Sequence, residues 1–215
     1  MRMSFPPAFS ALYNSCFQVS KGEYIGMEFS MIVLAGGKSS RMGRDKSDLL
    51  LGMDTFLNVQ IRKGTELGIR DILVSGYRGE DCPVPVIRDR LEGRGPLGGL
   101  EACLRRAVHD KVLVLGVDIP LVPAAELRQL MEQSAGNREA VTILSHGGKE
   151  EPLIGVYEKS LADAMRKEVI RGRGSVFAFI NHTGYDIFCS KAPEACFSNV
   201  NCEEDYTRLR EENII

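Results

Sequence analysis

Four cations crowd a short glycine-bearing segment: Lys38, Arg41, Arg44 and Lys46 follow the pair Gly36-Gly37 within M-I-V-L-A-G-G-K-S-S-R-M-G-R-D-K, residues 31–46. The apolar, β-branched run ahead of the glycines predicts a buried strand that ends in a sharp turn. Glycine lacks a Cβ, so backbone N–H groups there are expected to approach an anion closely, with Arg41 and Lys46 neutralising charge from the sides. Phosphate binding is the chemistry this pattern suits. Its spacing is neither that of the P-loop, which needs a glycine directly before Lys-Ser/Thr, nor the dinucleotide G-x-G-x-x-G. A plain glycine turn leaves so many cations beside one acid, Asp45, without a reason.

Further along, Asp118 in V-D-I-P follows the most apolar run of the chain, K-V-L-V-L-G-V at 111–117. A carboxylate at the end of a buried strand suits Mg²⁺, which takes one or two carboxylates together with phosphate oxygens. A turn aspartate ahead of Pro120 is the competing reading. Asp89 closes V-I-R-D between Arg88 and Arg90. Gly95, Pro96, Leu97, Gly98 and Gly99 are expected to form a second glycine loop opening a helix, with backbone free to approach a base or ribose. In F-S-N-V-N-C-E-E-D, Asn199 and Asn201 offer amide oxygens to a metal or ligand, and the acids at 203–205 favour a helix N-terminus.

The elements that must hold these groups alternate. Asp54 is expected to cap a helix that Gly68 ends, with apolar residues at helical spacing from Phe56 to Leu67. Asp71–Ser75 predicts a short buried strand, and residues 84–87 another, nearer an edge because of Pro85. A helix is expected over 102–108, a strand over 111–117, a helix from Pro123 to near Gly136, and strands over 140–144 and 152–157. Helices over 161–170 and 176–180, a strand over 185–189 and a terminal helix over 203–211 complete the chain. This alternation indicates an α/β fold: a three-layer α/β/α arrangement around a mostly parallel sheet. Ligands in such sheets lie beyond the carboxyl ends of the strands. Residues 1–26 read as an accessory extension, with Met27 and Met31 as alternative initiators, and 27–215 as a single domain.

Composition narrows the partners. With 27 Lys and Arg against 29 Asp and Glu, a net charge of -2 and 215 residues, the chain has no global basic field for nucleic acid or an anionic membrane. Its length suffices for a core without disulfides or structural metal. The six cysteines show no C-x-x-C and read as reduced thiols of a cytoplasmic protein, and His109, His146 and His182 form no cluster with them. No apolar stretch reaches the ~20 residues needed to span a bilayer, and the broken start lacks the apolar core of a signal peptide.

The wording L-A-G-G-K-S-S-R-M-G-R-D-K resembles the nucleotide-binding signature of the molybdenum cofactor guanylyltransferases, and the likeness continues through G-P-L-G-G, D-I-P and N-V-N to about residue 209. It implies a Rossmann-like nucleotidyltransferase fold that joins GMP from GTP to molybdopterin, releasing pyrophosphate, with Mg²⁺. Carried over residue by residue, the catalytic groups are Arg41, Lys46 and Asp118. The nucleotide site is Leu34, Ala35, Gly36, Gly37, Lys46, Asp89, Gly95, Pro96, Gly99 and Asp118, and the metal ligands are Asp118 and Asn201, then Asn199. Implied partners are GTP, the molybdopterin cofactor, molybdopterin insertion or accessory proteins and molybdoenzyme apoproteins. CTP-using relatives tend to carry Ala-Gly where this chain has Gly36-Gly37. Two departures stand out: Tyr77 where the family commonly has Asn, and Cys202, with no proline after it, where it has Thr-Pro. The rival readings are a CTP-dependent molybdopterin cytidylyltransferase, a sugar-phosphate nucleotidyltransferase and a catalytically silent nucleotide-binding scaffold.

Overall fold

Strand β1 (Phe29–Leu34) is buried at every position and lies inside a seven-stranded sheet. On one side it pairs in parallel with β4 (Asp71–Ser75) and on the other with β6 (Lys111–Gly116). Beyond β4 comes the edge strand β5 (Val86–Ile87). Beyond β6 come β8 (Lys149–Glu158), β7 (Val141–His146) and β9 (Asp186–Cys189). Only β8 runs against the rest, joined to β7 through the Gly147-Gly148 turn, where both glycines have positive φ. A two-stranded ribbon of β2 (Leu50–Leu51) and β3 (Asp54–Thr55) stands apart from the sheet. The computed structural model describes residues 28–36, 45–88 and 95–211.

Alternation along the strands divides the core into two layers. Met31 and Val33 face one way, with Ile72, Val74, Leu113 and Leu115. Against them pack Phe56 and Val59 of α1 (Phe56–Glu66), Leu127 of α3 (Ala124–Gly136) and Leu209 of α6 (Glu203–Glu211). Ile32, Leu34, Leu73, Val112 and Val114 face the other way. They meet Leu100 of α2 (Gly95–Leu104), Met165 of α4 (Ala162–Ile170) and Ile180 of α5 (Val176–Thr183). Helices therefore cover both faces, as the alternating pattern predicts. No helix among the described residues is long and apolar enough to cross a membrane.

Four expectations need correction. Thr55, not Asp54, caps α1, its hydroxyl accepting the Asn58 N–H at 3.2 Å. Asp54 instead lies in the ribbon and pairs with Arg62 at 2.6 Å. The helix expected over 102–108 begins at Gly95, so G-P-L-G-G is its first turn and no loop. Proline is at home in a first turn, and Gly99 lets α2 lie against β4, where an added Cβ would stand 2.2 Å from Ser75 Oγ. Close packing thus outweighs the poor helix propensity of glycine. Finally, Pro123 is the N-cap of α3, not its first turn.

Candidate functional site

The register of the sheet brings three loops together. Leu34 is level with both Ser75 and Gly116, so the chain leaves β1, β4 and β6 at one edge, their carboxyl ends. From β1 the chain moves outward to β4 and β5, then crosses to β6 on the other side, which makes this edge the switch point of the sheet. Directly beyond it, the backbones of Gly36 and Gly76 touch. An added Cβ on Gly76 would lie 2.4 Å from Gly36 Cα, and Gly76 has φ +81°. The N–H groups of Ala35 and Gly36 both donate to Ser75 O, at 2.8 and 3.1 Å. The expectation that the Gly36 N–H serves a ligand therefore changes: Gly36 is a packing glycine that clamps two loops.

Past the first loop, Asp45 starts a short 3₁₀ turn, Lys46–Asp48, by accepting the Ser47 N–H at 3.0 Å. That turn aims Lys46 across the edge. Its Nζ donates to Asn201 Oδ1 at 2.8 Å and lies 3.9 Å from Asp118 Oδ2, a distance for charge attraction without a hydrogen bond. Asp118 occupies the turn after β6, where its Oδ1 folds back over Gly116; an added Cβ there would lie 2.6 Å from it. Val200 N–H donates to the Asp118 carbonyl at 2.9 Å, which ties the N-V-N segment to the same turn. Asp205 Oδ2 accepts the N–H groups of Asn201 and Cys202 at 2.8 and 3.1 Å, reaching back over the start of α6.

Only 27% of the Asp118 side chain is exposed. Crowding by protein atoms raises its pKa above the ordinary aspartate value, and the Lys46 ammonium pulls in the opposite direction. Glu151 pushes it further up, while Lys149, whose Nζ is 2.6 Å from Glu151 Oε1, lowers it. Burial of a carboxylate beside the Lys46 ammonium at a ligand-facing edge is the environment in which functional acids are found.

The remaining predicted residues divide. Leu34 and Ala35 are buried in opposite core layers. Gly95, at φ +70°, packs against Gly174, Gly99 packs against Ser75, and Pro96 is exposed on the first turn of α2. Asn199 is half-buried and makes no hydrogen bond with the described residues. Tyr77 packs on the core layer of α1, with its hydroxyl 3.5 Å from Asp48 Oδ1. Gly37, Arg41 and Asp89 lie outside the described residues, as does the 1–26 extension.

The sequence reading missed the support beneath Asp118. From α1, Gln60 Nε2 donates to the carbonyls of Gly116 and Ile119 at 2.8 and 3.0 Å. Lys63, fully buried, donates to Pro120 O at 2.5 Å and to Gln60 Oε1 at 3.1 Å. Together they hold both sides of the Asp118 turn. The signal was a polar pair at i, i+3 on the apolar face of an amphipathic helix, where solvent cannot satisfy it. As for metals, no three His, Cys, Asp or Glu side chains among the described residues form a holding group. One carboxylate and one neighbouring amide oxygen suit a hard cation that keeps most of its water, and would not suit zinc.

Comparison with known proteins sets the class and then the family. The architecture recurs in a Methanothermobacter nucleotidyl transferase, with TM-score 0.69 at 21% identity over 88% of this chain and 99% of that one. It also recurs in molybdopterin-guanine dinucleotide biosynthesis protein A of Archaeoglobus fulgidus, with TM-score 0.68 at 21% identity over 85% and 97%. The chain belongs to the nucleotidyltransferase class and, within it, to the MobA-like NTP transferase domain family, matched over residues 31–184. A protein of Carboxydothermus hydrogenoformans named "Probable molybdenum cofactor guanylyltransferase" is 34% identical over 84% of this chain and 94% of its own length. A Serratia proteamaculans protein named molybdenum cofactor guanylyltransferase is 26% identical over 86% and 95%.

Proposed function

We propose that this chain transfers the GMP part of GTP to the terminal phosphate of molybdopterin, forming the guanine dinucleotide cofactor and pyrophosphate. The observation that carries the reading is the meeting of Lys46, Asp118 and Asn201 at the switch point of the sheet. It is supported by the family and by the names of relatives that cover most of the chain.

The chemistry asks little of the protein beyond placement and charge. An oxygen of the pterin phosphate attacks the α-phosphorus of GTP, a P–O bond to that phosphorus forms, and the bond to the β-phosphate oxygen breaks as pyrophosphate leaves. The attacking phosphate is already ionised at neutral pH, so no general base is needed, and holding the two phosphates in line supplies much of the rate. Lys46 is placed to offset charge growing on the leaving pyrophosphate, with Arg41 as its partner in that role. Asn201 fixes the direction of the Lys46 ammonium. Asp118 is the group that would hold Mg²⁺, joined by the amide oxygen of Asn201 when the Lys46 ammonium turns from it to the phosphates. When bound, that ion supplies electrostatic stabilisation of the phosphates.

CTP is the alternative nucleotide, because Tyr77 stands where the guanylyltransferases commonly have asparagine and contacts to the base would differ there. The test is direct. The protein is incubated with molybdopterin, Mg²⁺ and each of the four NTPs, and products are identified by mass. The guanine dinucleotide is the expected product; the cytosine dinucleotide in equal or greater yield would replace GTP with CTP, and no dinucleotide with any NTP would leave a binding protein.

A further inference from the structure

A cavity of about 250 Å³ opens on the flank of the domain, between the edge strand β5 and helices α2 and α4. Its lining from α2 and α4 leads away from the edge that carries Asp118, and Arg88 follows β5 at that edge. Helix α2 passes Ser75, at the end of β4, at its fifth residue Gly99, and just past its far end the Val108 N–H reaches Asp71 at the beginning of that strand. The cavity is lined by the middle and far half of this helix. Four guanidinium groups face it: Arg88 after β5, Arg105 and Arg106 at the end of α2, and Arg166 from α4. At its floor lies Glu101, 5% exposed, which pairs with Arg105 Nε and sits 3.7 Å from Arg166 Nη1. Arg105 also pairs with Asp163 at 2.7 Å.

Among the described residues two carboxylates thus face four cations, in a protein whose net charge is -2. Arg88 and Arg106 have no ion-pair partner among the described residues. The negative end of the helix dipole accounts for cations after α2. It does not account for Arg88 and Arg166, which converge from a strand and a second helix. A nearly buried carboxylate that orients two of the four guanidiniums gives the cavity a built floor. Val86, Ile87 and Ala102 add a half-buried apolar wall. The volume excludes a peptide segment or nucleic acid and admits a small molecule. A planar carboxylate offers its lone pairs in one plane, whereas a tetrahedral phosphate offers oxygens to cations arriving from three elements.

We propose that this flank cavity binds a small phosphate monoester with a compact apolar part, held by Arg88, Arg106 and Arg166 above Glu101. The probe is phenyl phosphate, titrated calorimetrically at constant ionic strength into the full chain, with succinate and benzoate as carboxylate arms. Expected are saturable one-to-one binding of phenyl phosphate, weakening by about tenfold or more in an Arg106→Ser, Arg166→Ser double variant, and less than about twofold change in Lys46→Ala. Arg88→Ser, at an exposed position without an ion-pair partner among the described residues, tests the same site should the double variant fold poorly; it is expected to weaken binding about threefold or more. Unchanged affinity in the arginine variants, loss of binding in Lys46→Ala, equal binding of succinate or benzoate, or no binding by the wild type would each overturn the proposal. None of these results depends on which nucleotide the main site uses, so the turnover assay stands or falls separately.

Discussion

The ammonium of Lys46 donates to the amide oxygen of Asn201 at 2.8 Å, across 155 positions of sequence. A lysine has three rotatable donors on a flexible stem, so its direction depends on what it is bonded to. Here the 3₁₀ turn capped by Asp45 sets the base of the side chain and Asn201 sets its tip.

Asn201→Ala is therefore expected to lower kcat/KM for the transfer by about tenfold or more, in line with a hydrogen bond to a charged group worth ~1.5–3 kcal/mol. Thermal stability should barely move, because the side chain lies at the surface. Asn199→Ala should have little effect on turnover, since Asn199 makes no comparable bond among the described residues. Steady-state kinetics on both variants checks the pair; equal losses, or none, would remove Asn201 from its positioning role.

Asp118→Asn is expected to lower turnover and raise stability together. Crowding raises the native pKa of Asp118 above the ordinary 3.8, although the Lys46 charge works the other way. A carboxyl with a raised native pKa keeps its proton at pH values where the unfolded chain has lost it. Stability therefore falls as pH rises from 3.8 through the raised value, and above that window the ionised group opposes folding. The amide should raise Tm at pH 7, with the gain disappearing in melts below about pH 4. Turnover at ordinary Mg²⁺ should drop on the order of a hundredfold or more. Near-normal turnover would make Asp118 a turn residue.

Gly76→Ala tests the clamp between the first two loops. With φ +81° and a new Cβ 2.4 Å from Gly36 Cα, alanine has neither the conformation nor the space. Both contacts are backbone, so no side-chain rotation relieves them. The variant should be destabilised by about 1–3 kcal/mol, readable as a denaturant midpoint shift at unchanged slope. A shift under about 0.5 kcal/mol would show that the two loops separate freely.

Periodicity made the layers readable from the chain. Asp71–Ser75 and Glu203–Glu211 carry clear turn and capping punctuation, and the structure has those elements at those bounds. The antiparallel course of β8 was not readable, because a half-buried strand shows the same alternation in either direction. G-P-L-G-G read as loop because glycine is a poor helix former, while the cause of its glycines, the closeness of α2 to β4, is tertiary. Lys46, Asp118 and Asn201 were visible as chemistry-bearing types. Gln60 and Lys63 were not: their place on the apolar face of the helix is a local sign of burial, but the carbonyl-rich turn they serve is distant in sequence.

Lys63→Met tests that hidden support. The change keeps the length and apolar stem of a fully buried side chain but removes its charge and donors, leaving Pro120 O and Gln60 Oε1 without the Lys63 ammonium. Losing partners for buried acceptors costs about 1–3 kcal/mol, which for a chain of this size lowers Tm by about 2–4 °C per kcal/mol. If the pair only stabilises the fold, activity should survive wherever the variant is folded. If it positions Asp118, kcat should fall about tenfold or more with a small change in KM for GTP, since the displaced turn misplaces the carboxylate without touching the nucleotide. Val169→Ala is the control: it removes buried methyl groups from the opposite core layer and should lower Tm by a similar amount. A normal kcat in Val169→Ala beside a reduced kcat in Lys63→Met, both measured well below their Tm, identifies Lys63 as a positioning residue. Equal kcat in the two variants would reduce it to a core residue.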